Sequence, residues 1–150
     1  SLVFSADRRN GYQLALTRHG IVPKPEYCVE LPSITAGEDT PVHALLRSAS
    51  RPTAIVVSDD ILALTLERIC TETGLSIPAD LSILSFNNSL FARLTSPQLT
   101  SIDINSCQLG MEAAAQMISH IENPGLPATK ILVPHQLIER DSCARPASHE

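Results

Sequence analysis

The run from Gly74 to Asn88 constrains the fold more than any other part of the chain. It opens with a glycine, the residue type that most often ends a helix, and continues through a proline and an aspartate typical of a turn. Residues Leu81 to Phe86 then predict a buried strand, and two asparagines follow its carboxyl end. In an open parallel sheet that end is where ligands bind, so the run predicts a fold and the place of a site.

Apolar spacing predicts helices that alternate with buried strands. Thr53 to Ser58 is a continuous run rich in β-branched residues, which favours a strand covered on both faces. The predicted helices run from about Arg8 to His19, from Glu38 to Ala49, from the Asp59–Asp60 pair to Gly74, and from about Cys107 to Glu122. This alternation gives βαβ units, so the predicted fold class is α/β, a parallel sheet flanked by helices.

Three segments depart from this alternation. Pro97 to Asn105 is interpreted as an extended crossing segment rather than a helix-linked strand. Lys130 to Pro134 and His135 to Arg140 are interpreted as a pair of extended segments, and a short strand is expected around Val29. Residues 144–150 are expected to form a frayed tail.

Length and composition limit the class of protein. At 150 residues the chain suits one domain, and none of its apolar runs approaches the roughly 20 residues that span a bilayer. No leader-like segment opens it, so a cytoplasmic location and no membrane partner are expected. A net charge of −5, without a basic cluster, argues against direct nucleic-acid contact by this chain.

The chain offers little catalytic or metal-binding chemistry. It has no nucleophile elbow and no glycine-rich phosphate loop, and its five histidines lack a common ligand spacing. Its four cysteines are far apart and contain no Cys-x-x-Cys pair, which favours scattered reduced thiols over a disulfide or metal site. We therefore expect no catalytic residue, no metal ligand and no cofactor, and a protein that is not an enzyme.

Three polar positions are candidates for ligand contact. Asp59 and Asp60 suit the start of a helix, where acids are favoured, and a ligand contact by Asp59 is the alternative. The amides at Asn87 and Asn88 either satisfy their own turn or bind a hydroxyl-rich ligand, which needs both donors and acceptors. Arg8 is predicted at the start of a helix, where a cation is disfavoured, so it is either solvated or held by a partner or ligand.

Five motifs in register resemble the lactose repressor (LacI) family of bacterial transcription regulators. They are Arg8-Arg-Asn-Gly-Tyr12 with the following Ala-Leu and Gly-Ile pairs, Pro52 to Asp60, Gly74 to Asn88, Pro97-Gln-Leu-Thr100, and Leu137-Ile-Glu-Arg140 with Ser142. Each is weak alone, but their order and spacing cover nearly the whole chain. Ser85 to Asn88 and Thr100 to Asn105 are closest to the maltose-operon repressors of that family.

The resemblance implies part of a two-lobed, periplasmic-binding-protein-like (type I) core that holds its effector between the lobes. Residues 1–98 and 126–143 would form most of the second, C-terminal lobe. Residues 99–125 would be the crossover segment and a crossover helix of the first lobe, and 144–150 a tail. The helix-turn-helix headpiece that binds operator DNA in the family has no counterpart in this chain, so none of its residues is expected to bind DNA.

The resemblance also implies site residues. The family's effector contacts fall on Arg8, Asp59 and Asn87, where Asn87 is an amide instead of the usual acid. Family dimers pair through the helix after the aspartate pair and the loop before Pro-x-Leu-Thr, which implies Leu64 and Leu94 in a homodimer interface. The effector is expected to be a small sugar, and a maltose-like one in view of the closer resemblance.

Three functions are weighed on these grounds. The first is the effector-binding and dimerising part of a sugar-responsive transcription regulator that binds operator DNA through its headpiece. The second is a soluble sugar-binding protein of the same fold without a DNA role, which a leader peptide would favour over a basic headpiece. The third, an α/β enzyme, needs a general base or phosphate loop that the sequence does not offer.

Overall fold

The computed structural model describes residues 3–30 and 40–146, and its centre is a four-stranded mixed sheet. The strands, in spatial order, are β1 (Ala54–Val56), β2 (Ser82–Phe86), β3 (Thr100–Asp103) and β4 (Gln136–Ile138). The first three are parallel, and β4 runs antiparallel to β3. The predicted α/β class is confirmed, with the correction that the sheet is mixed rather than wholly parallel.

Within the described ranges five α-helices accompany the sheet. They are α1 (Val3–Arg18), α2 (Thr40–Arg47), α3 (Asp60–Thr73), α4 (Leu90–Leu94) and α5 (Ser106–Glu122). The first begins five residues before its predicted start. The predicted start of the second, Glu38, lies outside the described residues. No strand forms around Val29 within 3–30; a 3-10 turn at Pro25–Tyr27 precedes it instead, because proline fixes the backbone in a turn conformation.

Helix α3 has the boundaries that its capping residues predict. The Asp59 carboxylate accepts a hydrogen bond from the backbone N–H of Leu62 at 2.8 Å, and Gly74 ends the helix in the left-handed conformation with φ of 74°. Its buried face contributes Leu66 and Ile69 to the core. That core also includes, from the rest of the described chain, Val42, Leu46, Ala63, Cys70, Leu81, Ile83, Ala92 and Leu99.

The expectation that Thr53 to Ser58 is covered on both faces is wrong. Strand β1 lies at the edge of the sheet, and Ala54 and Val56, which share one face, are exposed, Val56 by 52%. Its other face is half-buried through Ile55. An apolar run of this length reveals a strand but does not reveal how many of its faces are packed.

The interpretation of Pro97 to Asn105 as an extended crossing segment rather than a helix-linked strand is also wrong in part. Thr100–Asp103 is strand β3, parallel to β2 and joined to it through α4. Two parallel strands need a crossover connection of about a dozen residues. Here the connection from β2 to β3 contains the short helix α4. Of the predicted pair near the end, only the second segment, His135 to Arg140, contains a strand, whereas 130–134 is not part of the sheet.

A segment after β4 joins the two central strands. The Ser142 hydroxyl donates to the carbonyl of Ile83 at 2.6 Å and accepts from the backbone N–H of Thr100 at 2.8 Å. The backbone N–H of Ile83 donates to the carbonyl of Ser142 at 2.8 Å. Ser142 is fully buried, so these bonds form away from water and add to the pairing of β2 with β3.

Helices α1 and α5 are mostly exposed in this chain. None of the residues of α5 is buried, and Met117, Ile118 and Ile121 of its predicted apolar stripe are exposed by 56–72%. On α1, Ala15 of the predicted packing face is exposed, and Tyr12 and Leu16 are only half-buried. Exposing large apolar side chains costs on the order of 1.5–3 kcal/mol each. The stripe on α5 would therefore be stabilised by packing against another protein surface.

Glu67 on α3 should make the stability of the fold depend on pH. Burial raises the pKa of its carboxyl from 4.5 to about 7, and its buried Oε1 has no hydrogen-bond partner among the described residues. The folded state therefore takes up a proton at Glu67, so the contribution of this group to stability is complete below pH 4.5 and is lost as pH rises to about 7. Above that pH, Glu67→Gln should raise the free energy of unfolding by about 1–2 kcal/mol, allowing for solvent screening of a partly exposed group.

Urea unfolding of wild type and Glu67→Gln between pH 4 and pH 8 measures this effect. The variant should lose the decline in stability across that range. Glu139→Gln, at an exposed position, is the matched control and should retain the wild-type profile. If the free energy of unfolding depended on pH in the same way in wild type and in Glu67→Gln, ionisation of Glu67 would not destabilise the folded state.

Candidate functional site

The candidate site lies at the sheet edge where β1 and β2 end. Because the two strands are parallel and adjacent, the residues that follow them come to the same edge. Asp59 follows β1, Asn87 follows β2, and α1 brings Arg8 to the same place. The structure thus brings the three predicted contact residues together from three distant parts of the sequence.

Arg8 contacts both strand ends. Its guanidinium donates a hydrogen bond to the carbonyl of Ser58 and lies over the ring of Phe86, with the central carbon 4.2 Å from the ring centroid. Burial lowers the pKa of Arg8 from its ordinary value, and the charge of Asp59 partly offsets this effect. An arginine remains protonated in any such setting, so the site keeps a fixed positive charge with a forked set of donors.

The argument that placed Arg8 at a helix start does not hold. Helix α1 begins at Val3, so Arg8 lies in its second turn, beyond the unbonded N–H groups of the first. Arg8 remains a candidate for ligand contact because of its contacts with Ser58 and Phe86, and not because of the helix macrodipole.

Asp59 has two partners of different kinds. One carboxylate oxygen caps α3 through the N–H of Leu62, which confirms the capping interpretation. Its charge also acts on Arg8, and its second oxygen has no hydrogen-bond partner among the described residues. The carboxylate is fixed in orientation by the cap and retains an acceptor oxygen, so capping and ligand contact are compatible.

Asn87 and Asn88 form a turn with two successive left-handed residues, at φ of 94° and 47°. Asparagine tolerates this region better than most residues, although it still costs energy there. The backbone N–H of Asn87 donates to the carbonyl of Ile102 at 2.9 Å, which ties the turn to β3. Within the described part of the chain no residue hydrogen-bonds the Asn87 side chain, so its amide offers both a donor and an acceptor.

Asn88, in contrast, is engaged on both sides. Its Nδ2 donates to Asp103 Oδ2 at 2.9 Å, and its Oδ1 accepts from Arg140 at 2.5 Å. This bond from Asn88, followed by one from the backbone of Asn105, lowers the pKa of Asp103. The two amides therefore differ in role: Asn88 joins the turn to β3 and the segment after β4, and Asn87 is the one available to a ligand.

Asp60 is the residue that the sequence interpretation missed, since that interpretation favoured a helix cap for the aspartate pair and gave Asp60 no role inside the sheet. It is 1% exposed, and its carboxylate accepts bonds from the hydroxyls of Ser85 and Ser101 and from the backbone N–H of Ser89. Serines at inward positions of strands β2 and β3 were the available signal, because buried hydroxyls need polar partners.

An open depression of about 450 Å³ lies beside the site, at the carboxyl end of β3. The residues that line it are Asp103, Asn105, Pro134, His135 and Gln136. None of the three predicted contact residues lines it. One lining residue, Asp103, bonds Asn88, so the depression and the Asn87–Asn88 turn are neighbours.

The residues that the structure describes form neither a metal site nor a disulfide. No group of three or more His, Cys, Asp or Glu side chains in 3–30 and 40–146 is placed to hold a metal ion. Cys28, Cys70, Cys107 and Cys143 are free thiols, and burial raises the pKa of Cys70 to about 11.

No helix in the described ranges has the length and apolar character needed to cross a membrane.

The two residues expected at a dimer interface lie on contacting helices. Leu64 is half-buried on α3, and Leu94 at the end of α4 is 70% exposed. Further exposed apolar side chains on these helices are Ile61, Leu90 and Phe91. The α3–α4 surface therefore carries an apolar area of the kind that marks protein contacts.

Known proteins match the chain in sequence and in structure. Residues 2–143 match the family model of the periplasmic binding protein-like domain. The ribose operon repressor of Haemophilus influenzae is 33% identical over 118 residues, which are 79% of this chain and 36% of that protein. Catabolite control protein A of Priestia megaterium is 29% identical over 137 residues, 91% of this chain and 41% of that protein.

A solved structure described as a transcriptional regulator LacI from Bacillus cereus subsp. cytotoxis NVH 391-98 superposes with a TM-score of 0.85 and 35% identity. The match covers 93% of this chain and 50% of that chain. This chain spans less than half the length of the two curated relatives that it matches.

Proposed function

Because the chain belongs to the periplasmic binding protein-like domain family, in the form found in LacI-family transcriptional regulators, we propose that it is part of the effector-binding and dimerising core of such a regulator. The regulator would control genes of carbohydrate use, and effector binding would change the affinity of a headpiece for operator DNA through linkage between the two sites. As a regulator of transcription it would act in the cytoplasm.

The observation that carries the proposal is the meeting of Arg8, Asp59 and Asn87 at one sheet edge. The three side chains supply a forked cation, an acceptor carboxylate and an amide with both a donor and an acceptor. A hydroxyl-rich ligand needs this mixture, since each hydroxyl donates one hydrogen bond and accepts others. Arg8 and Asp59 are both held by the protein before any ligand binds, which reduces the entropy cost of binding.

The effector that we propose is a neutral sugar, with a maltose-like one as the first candidate. Support comes from the amide at Asn87, which adds no charge, and from the likeness of Ser85 to Asn88 and Thr100 to Asn105 to maltose-operon repressors. The aromatic ring of Phe86 is engaged by Arg8 rather than presented alone. Recognition at this edge would therefore depend mainly on hydrogen bonds.

The chain would supply one wall of the effector cleft. We propose that 1–98 and 126–143 belong to one lobe and that 99–125 packs into the other, followed by a tail at 144–150. The exposed stripe on α5 supports this division, because Met117, Ile118 and Ile121 have no cover within the described residues. We also propose that Leu64 and Leu94 take part in a homodimer interface, supported by the apolar α3–α4 surface.

The test uses the intact protein that contains this chain, a DNA fragment from upstream of its gene, and two sugars, maltose and ribose. Calorimetry should show binding of one sugar, and that sugar should change the affinity for the DNA about tenfold or more, the range of a typical coupling free energy. Sugar binding without any effect on DNA would favour the plain sugar-binding protein. Turnover of either sugar would favour an enzyme instead.

A further inference from the structure

Asp60 connects the two parts of the candidate site that come from β1 and β2. It follows Asp59 directly and is the first residue of α3, yet its side chain points away from solvent and is 1% exposed. Its Oδ1 accepts from Ser85 at 2.6 Å and from Ser101 at 2.9 Å, and its Oδ2 accepts from the backbone N–H of Ser89 at 2.6 Å. The donors lie on β2, on β3 and in the turn region after β2.

A buried carboxylate persists in the charged form only when donors replace its lost water. Asp60 has three such donors at short distances, so both of its carboxylate oxygens have hydrogen-bond partners. Removing the carboxylate would leave two hydroxyls and one backbone N–H without this acceptor. The side chain therefore fixes all three groups relative to the start of α3.

The same network reaches the strained turn. The Ser101 hydroxyl, which donates to Asp60, accepts from the backbone N–H of Asn88 at 3.0 Å. The backbone N–H groups of Asn88 and Ser89 are thus held by Asp60, the first through Ser101 and the second directly. Two successive left-handed residues persist only where the surroundings determine them, and this network is part of those surroundings.

We propose that Asp60 is a positioning residue for effector binding: it holds the Asn87–Asn88 turn in register with the Asp59 end of α3. This inference rests on the proposed function, because it assigns Asp59 and Asn87 to one ligand. It explains the two adjacent aspartates by a division of roles. Asp59 faces the site and caps the helix, whereas Asp60 lies behind it and transmits the position of α3 to the turn.

The test is Asp60→Asn in the intact protein, with maltose and ribose as probes. The amide keeps the size of the side chain but puts a donor or a weaker acceptor opposite the N–H of Ser89. The backbone amides of Asn88 and Ser89 should exchange hydrogen about tenfold faster or more, since their protection depends on local opening. Affinity for the sugar that wild type binds should fall by about tenfold or more, because Asn87 would no longer be held in place before the ligand binds.

Ser142→Ala is the matched control for a merely structural role. It removes buried hydrogen bonds between β2 and β3, at Ile83 and Thr100, without touching the turn. It should lower thermal stability but leave the exchange of Asn88 and Ser89 and the sugar affinity as in wild type. An equal loss of affinity in Ser142→Ala would overturn the proposal, because general destabilisation would then explain both variants.

A second variant covers the case in which Asp60→Asn does not fold. Ser101→Ala removes the link to Asn88 and one of the two donors to Asp60 Oδ1, but it keeps the bond from Ser89, so it should speed exchange at Asn88 and leave Ser89 protected. Unchanged exchange at Asn88 would overturn the proposal. If wild type binds neither sugar, the proposed function fails with these effectors, and the exchange measurement still decides whether Asp60 holds the turn.

Discussion

Replacing Arg8 by alanine in the intact protein should lower affinity for the sugar effector by about 30- to 150-fold while leaving DNA affinity without sugar unchanged. Arg8 is the cation of the candidate site, and hydrogen bonds to charged groups contribute about 1.5–3 kcal/mol, the upper part of which corresponds to this loss. Its guanidinium is fixed over Phe86 and bonded to Ser58, so no other side chain can take its position without rearrangement.

Arg9→Ala is the matched control for this prediction. Arg9 is the next residue of the same helix, it is exposed, and its side chain pairs with Glu30 instead of the site. An exposed ion pair contributes little, so sugar affinity should stay within about twofold of wild type. The pair of variants is measured by calorimetry and by DNA binding with and without sugar. Unchanged sugar affinity in Arg8→Ala would remove Arg8 from the effector site.

Ser142→Ala should lower the free energy of unfolding by about 2–4 kcal/mol, because two buried backbone groups lose their partner. The hydroxyl accepts from the N–H of Thr100 and donates to the carbonyl of Ile83, and Ser142 is fully buried. Alanine fills nearly the same volume, so lost hydrogen bonds rather than a cavity would account for the change.

Ser89→Ala also removes a buried serine hydroxyl, but it should not lower the free energy of unfolding. The Ser89 hydroxyl is buried and has no hydrogen-bond partner among the described residues, so its removal leaves no group unsatisfied. The free energy of unfolding should stay within about 0.5 kcal/mol of wild type or rise. Urea unfolding of the two variants measures the contrast. Equal losses in both would mean that Ser142 acts by packing rather than by its bonds.

Local signals in the sequence predicted the elements whose cause is local. The cap at Asp59, the left-handed stop at Gly74 and the buried strand between Leu81 and Phe86 depend on residues close in sequence, and each was predicted near its observed place. The meeting of strand ends follows from parallel topology, because the residues after two adjacent parallel strands, here Asp59 and Asn87, lie at one edge of the sheet.

Features set by distant residues were missed. Leu90–Leu94 is too short for helical periodicity to show, so β3 was not identified as a strand reached by a crossover. The exposed face of β1 depends on its place at the sheet edge. The role of Asp60 depends on serines 25 and 41 residues away, which no pattern around Asp60 reveals.

The return of Ser142 to the middle of the sheet affects how the chain can fold during synthesis. Ser142 lies 59 residues after Ile83 and 42 after Thr100, yet it bonds to both. A nascent polypeptide that has emerged from the ribosome only as far as β4 holds three parallel strands without the hydrogen bonds that Ser142 adds between two of them. Emergence of Ser142 would then add these bonds, and local helices would have to shield the apolar strands until that moment.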